Sequence, residues 1–100
     1  MNSRQYQYAV QLAEVGSFSK LAENLNLSQP ALSKQILALE KELGVKLFKR
    51  SNNSVVPTPA GVHFVREARE LLYKEDQLIK AMTQNKSGDK GELVIGPTPF

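Results

Sequence analysis

The chain is 100 residues long, with 41% hydrophobic and 23% charged side chains, no cysteine and a net charge of +3. That length supports one compact domain with an appended arm, and the lack of cysteine excludes disulfides and thiolate metal sites. Apolar runs are short and the stretch Met1 to Gln5 has no signal-peptide core, so a cytoplasmic protein without membrane contact is expected. Residues 4–15 read as a first helix, with Tyr6, Ala9, Val10 and Ala13 at helical spacing on one side. Gly16 suits the left-handed position that ends it. Ser17 can cap a second helix whose Phe18, Leu21, Ala22 and Leu25 face inward. After the turn at Asn26-Leu27, Ser28 caps a third helix, Pro30 sits in its first turn, and Gly44 closes it. Within it Leu32, Ile36, Leu39 and Leu43 form one apolar stripe.

The rhythm then changes. Val45–Arg50, the turn-forming Ser51-Asn52-Asn53-Ser54 and Val55-Val56 predict a small hairpin, with Pro57 restricting its second strand to an edge. Thr58-Pro59 starts a long helix that nothing but Gly61 interrupts until about Lys86, a length of about 42 Å. Two interleaved apolar seams run along it, one through Phe64, Ala68, Leu71, Leu78 and Met82, the other through Val65, Ala68, Leu72, Ile79 and Met82. Glu75 is their one charged interruption. Such a stripe predicts packing on the domain at the near end and on a second long helix at the far end. Asn85 to Gly91 reads as a linker, and "GELVIG" begins like a buried strand with nothing to pair with. The chain thus reads as the front of something longer.

The excess positive charge has one location. Residues 28–53 hold Lys34, Lys41, Lys46, Lys49 and Arg50 against Glu40 and Glu42, and the segments on either side are neutral. Concentrated cations beside a rigid helix fit a polyanion. Two short helices, a tight turn and a hairpin describe a winged helix-turn-helix, whose second helix enters the DNA major groove by its N-terminal end. On the side away from Leu32 lie Pro30, Lys34, Leu37 and Lys41, with Ser33 beside them and Gln29 at the tip. Gln29 can pair with adenine, Ser33 can donate or accept, and Lys34 can reach guanine or phosphate. Pro30 and Ala31 keep the tip narrow enough to touch a thymine methyl. The free amides behind Ser28 suit a phosphate.

The stretch "GSFSKLAENLNLSQPALSKQILALEKELGVKLFKR", together with "PTPAG", resembles the N-terminal DNA-binding domain of LysR-type transcriptional regulators, over about Arg4 to Gly96. The resemblance implies a mainly α fold: a winged helix-turn-helix in residues 1–58, a linker and dimerisation helix in 59–87, and in 88–100 a hinge and the first strand of a truncated effector-binding domain. It implies that Gln29, Pro30, Ala31, Ser33, Lys34 and Leu37 face the major groove and that Ser17, Ser28, Lys20, Lys41 and Lys46 lie near phosphate. Lys49, Arg50, Asn52 and Asn53 are placed at the wing beside the minor groove. Val65, Ala68, Leu71, Leu72, Leu78, Ile79 and Met82 are assigned to dimerisation. The implied partners are double-stranded DNA with an inverted-repeat site and a second copy of the chain, with higher oligomers open to the full-length protein. No cofactor is expected in this chain, and a small-molecule effector is expected for the missing domain.

Three departures from the family pattern stand out. Asn52-Asn53 replaces an arginine or glycine-arginine wing tip, which weakens its electrostatic pull and shifts it to Lys49 and Arg50. Leu37 stands where a long polar side chain is frequent, and either touches a thymine methyl or covers the domain's rim. Ser3, Tyr6 and Ala9 replace bulkier or more aliphatic residues, so the first helix is expected to pack differently. The alternative function is a winged-helix protein-interaction module, which would need the leucine stripe but not the basic cluster. An enzyme is not expected: His63 is the sole histidine, and Glu75 and Asp76 are adjacent and so diverge on a helix.

Overall fold

Helix α1 spans Ser3–Val15, α2 Phe18–Asn24 and α3 Gln29–Leu43, in the computed structural model that describes residues 1–52 and 54–88. Strands β1 (Phe48–Ser51) and β2 (Ser54–Pro57) form the wing, and α4 runs from Pro59 to Gly88. The helix boundaries follow local chemistry. The side chains of Asn2, Ser17 and Ser28 accept from the amides of Gln5, Lys20 and Ala31, so each helix begins on a satisfied cap. Gly16 and Gly44 end α1 and α3 at φ 74° and 72°, as their positions predict.

The core sits between the three short helices, the wing and the first turns of α4. Ala9 and Leu12 of α1 meet Phe18 and Leu21 of α2, Leu32, Ile36 and Leu39 of α3, and Leu47, Phe48 and Val55 at the wing. Leu12, absent from the sequence-derived stripe of α1, is fully buried, and Gln5 is buried beside α3, donating to Gln35 Oε1 at 3.4 Å. The stripe of α3 ends one rung early. Leu43, the last residue of α3, is 37% exposed.

The wing pairs antiparallel with Phe48 opposite Pro57, Lys49 opposite Val56 and Arg50 opposite Val55. Val55 N–H donates to Gly16 C=O at 2.9 Å, which stitches β2 to the α1–α2 loop. Pro57 thus takes part in the second strand, one residue beyond the expected hairpin. Asn52 occupies the left-handed region at φ 55°, a conformation asparagine tolerates in tight turns.

The start of α4 explains the "PTPAG" segment. Thr58 Oγ1 donates to Lys46 C=O at 2.6 Å and accepts from Gly61 N–H at 3.0 Å, and Thr58 N–H donates to Leu47 C=O at 2.9 Å. Gly61 then passes so close to that carbonyl that a Cβ would stand 1.9 Å from Leu47 O.

Along α4, α1 covers the segment from Phe64 to Glu75. Tyr6 packs on Phe64 with ring centroids 6.1 Å apart, Arg69 pairs with Glu14 at 3.1 Å, and Ser3 Oγ donates to the Glu75 carboxylate. The charged interruption of the stripe is therefore the hydrogen-bond acceptor of α1's first residue. Val65 and Ala68, expected among the dimerisation residues, are buried in this chain's own core and have no surface to offer a second chain. Leu72 is partly buried, whereas Leu71, Leu78, Ile79 and Met82 are exposed. Helix α4 runs to Gly88, about two residues past the end expected near Lys86 and into the start of the expected linker. The anticipated strand at 92–96, the remainder of the linker and Asn53 lie outside the described residues.

Gly61→Ala forces either the Leu47 peptide or the start of α4 to move. A stability loss of about 1–3 kcal/mol or more, the scale of overpacking, is expected in urea unfolding, and an unchanged midpoint would refute the close approach.

Candidate nucleic-acid interface

The leading end of α3 is an exposed tip on a buried anchor. Gln29, Pro30, Ala31 and Lys34 are exposed and Ser33 is half-buried, while Leu32 is 0%, Ile36 2% and Leu39 0% exposed. Ser28 Oγ accepts from Ala31 N–H at 3.2 Å, so the hydroxyl is committed to the cap and the neighbouring amides are left pointing outward. Those amides and the helix dipole make this end electropositive.

The wing is fastened to α3 by a carboxylate. Glu40 is buried, and its Oε2 accepts from Leu47 N–H at 2.7 Å and Phe48 N–H at 3.1 Å. In the sequence it looked like one more surface charge. Its partners are backbone amides, which leave no residue-type signature to read.

Two clefts flank the joint between α3 and the wing. One, of about 440 Å³, is lined largely by Phe18, Ile36, Leu37, Phe48, Lys46 and Lys49. Leu37 stands at its edge, 55% exposed. The other, of about 340 Å³, is polar and is lined by Ser17, Ser19, Gln29, Asn52 and Ser54. Arg50 borders both. Its guanidinium lies 4.2 Å from the centroid of the Phe18 ring, and its Nη2 donates to Ser33 Oγ at 2.9 Å. Arg50, expected at the wing beside the minor groove, is on β1 of the wing with its side chain drawn onto α2 and α3, since β1 turns it to the same side as Phe48.

The remaining expected residues divide by location. Ser17 accepts from Lys20 N–H at 3.2 Å and lies beside Gln29 and Asn52 in the polar cleft. Lys41 and Lys46 line a shallow depression with Val45 behind Leu37. Lys20 and Lys49 are exposed. Among the described residues no group of His, Asp and Glu could hold a metal ion, and no helix is long and apolar enough to cross a membrane.

This geometry recurs in known proteins. Residues 3–62 match the family model of the bacterial regulatory helix-turn-helix protein, lysR family. The chain is 41% identical over 96 residues to the uncharacterized HTH-type transcriptional regulator YcgK of Bacillus subtilis (strain 168), a match covering 96% of this chain and 30% of that one. It therefore spans under a third of that relative's length. The BenM DNA-binding domain, in a crystal structure with catB site 1 DNA, superposes with a TM-score of 0.85 at 39% identity, covering 90% of this chain and all of that one. Full-length CbnR complexed with its target DNA superposes with a TM-score of 0.78 at 34% identity, covering 85% of this chain and 30% of that one.

Replacing Glu40 by alanine strands two amides at the α3–wing joint. A loss of about 2–3 kcal/mol is expected in chemical unfolding, the scale of unpaired buried donors, with Glu40→Gln losing less because it keeps an acceptor oxygen. Equal losses would show that the carboxylate's bonds are not what holds the wing.

Proposed function

The chain belongs to the lysR family of bacterial regulatory helix-turn-helix proteins, and from that premise we propose that it binds double-stranded DNA in a sequence-specific way as part of a dimeric transcriptional regulator. One observation carries the reading: Gln29, Pro30, Ala31 and Lys34 are presented outward from a helix whose Leu32, Ile36 and Leu39 are locked in the core. A tip held this rigidly loses little freedom on entering a major groove, which favours base reading over loose adhesion. DNA complexes of the similar BenM and CbnR chains support it.

Helix α3 reads base edges through Gln29, Ser33 and Lys34, with Pro30, Ala31 and Leu37 in apolar contact. The amides behind Ser28 and Ser17, with Lys20, Lys41 and Lys46, grip phosphates on either side. Lys49 and Asn52 meet the backbone near the minor groove. Two copies pair through the exposed far half of α4, where Leu71, Leu78, Ile79 and Met82 carry the contact and Leu72 supports it. The operator is an inverted repeat. In the full-length protein, which works in the cytoplasm, a separate domain binds a small-molecule effector, and the whole acts as a regulator rather than an enzyme.

Selection of bound sequences from random duplex DNA at two salt concentrations tests this directly. An inverted-repeat consensus is expected, with affinity falling about 1,000-fold or more between 50 and 200 mM salt if six or more phosphates are held. Binding without consensus would refute sequence-specific recognition. Lys34→Ala should weaken binding by about 1–3 kcal/mol and relax one position of the consensus; a uniform loss over all sequences would make Lys34 a phosphate contact.

Pairing is tested separately. Ile79→Asp should give monomers in sedimentation velocity, and an unaltered dimer would remove α4's far half from the interface.

A further inference from the structure

Arg50 joins three elements. It follows Phe48 by two residues on β1 and faces Val55 across the wing, so its side chain returns toward the domain. The ring of Phe18 on α2 lies 4.2 Å beneath the guanidinium, and Ser33 Oγ on α3 accepts from Nη2 at 2.9 Å. The wing supplies the cation, α2 the platform and α3 the acceptor.

The chemistry of that bond is directional. A guanidinium has five donors and no acceptor, while a hydroxyl has one donor and two acceptor sites. Arg50 therefore occupies one lone pair of Ser33 Oγ, leaves its proton uncommitted, and by drawing electron density from the oxygen makes the hydroxyl a stronger donor and a weaker acceptor at its remaining lone pair. A serine inside a helix often turns that proton back to the carbonyl four residues earlier. No such bond to Gln29 is present, and the Ser33 hydroxyl has no second partner among the described residues. Stacking on Phe18 limits the swing of the guanidinium, so the lone pair is held from a constant direction.

We propose that Arg50 is a positioning residue that fixes Ser33 as a hydrogen-bond donor toward the major groove, and so makes this chain select an acceptor edge at the base facing Ser33. Guanine O6 and N7, adenine N7 and thymine O4 are acceptors, whereas cytosine offers only the N4 donor. Cytosine is the base discriminated against at that position. The inference rests on the duplex-binding reading and deepens it, because it assigns Arg50 a part in specificity instead of a minor-groove or phosphate contact.

The test compares sequence selection from random duplex DNA by the wild-type chain, Arg50→Met, Arg50→Lys, Ser33→Ala and the double variant Arg50→Met/Ser33→Ala, with thermal unfolding followed in parallel. Methionine keeps an apolar stem over Phe18 and removes the donor; lysine restores a donor without the planar fork. Arg50→Met and Ser33→Ala should each flatten the same column of the consensus by about tenfold, the scale of one good base contact. The double variant should flatten it no further, and Arg50→Lys should recover part of the preference. A uniform loss of affinity in Arg50→Met with an unchanged consensus would make Arg50 a phosphate contact and overturn the proposal. Should Arg50→Met not fold, Arg50→Lys and Ser33→Ala carry the test: shifts in the same column support it, and shifts in different columns overturn it. A wild-type chain that selects no consensus refutes the duplex-binding reading itself, which separates that failure from this one.

Discussion

The peptide of Leu47 is where the architecture is fastened. Its N–H is taken by the buried Glu40 of α3, its C=O by the Thr58 amide at the start of α4, and its side chain is 1% exposed in the core. Gly61 crosses that same carbonyl at a distance no side chain would permit. The helix that carries the exposed tip, the wing and the long helix therefore meet on one residue. A charge-assisted acceptor for two amides is stronger than two neutral bonds, and packing around it leaves little room to pivot. The angle between α3 and α4 is consequently a property of the single chain.

The second constraint acts on charge. A cation near the leading end of α3 opposes the helix dipole, which favours anions there. Arg50 is nonetheless held beside Ser33, close to that end, because the face of Phe18 and the hydroxyl of Ser33 both receive it. The positive potential of the tip is thus built from fixed parts: amides behind Ser28, a guanidinium stacked on a ring, and Lys34 on the next turn. Arranging like charges costs folding energy, and the leucine anchor of α3 offsets it. Burying one leucine contributes about 1.5–3 kcal/mol, and Leu32 and Leu39 are both at 0% exposure.

Signals that act over three or four residues were legible in the sequence. The caps at Ser17 and Ser28, the left-handed Gly16 and Gly44, the Thr58-Pro59 start and the Asn-rich hairpin turn all follow from the preferences of the residues themselves. Long-range choices were not. Periodicity placed Leu43 on the buried stripe but could not show that it stays exposed while Glu40 of the same turn is buried. It drew Val65 and Ala68 into the pairing seam, when α1 had already taken them. Glu40 was counted with the free charges, since its partners are backbone amides of the wing, and the bond from Arg50 to Ser33 on another element was equally out of reach. The unusual residues of α1 were legible in the sequence, but their partners were not: Tyr6 lies against Phe64 and Ser3 is bonded to Glu75. Asn52 shows the opposite case: a residue read as a weakened contact is one that the turn's own conformation favours.

Helix α4 changes character at Glu75. Before it, α1 supplies burial; after it, Leu78, Ile79 and Met82 are each more than half exposed. What the far segment has of its own is modest. The Lys80–Asp76 pair at 3.2 Å is solvent-exposed, and such pairs contribute about 0.3–0.5 kcal/mol on a helix surface. Propensity alone leaves short helices marginal in water, so most helical stability must come from packing an apolar face. In the proposed dimer that packing is supplied by the same stripe of the second copy. Because the Leu47 junction fixes α4 to α3, pairing the stripes also sets the separation and orientation of the two exposed tips. In that dimer the distance between the tips would depend on Gly61 and Glu40, residues that lie at the Leu47 junction and not on the exposed end of α3.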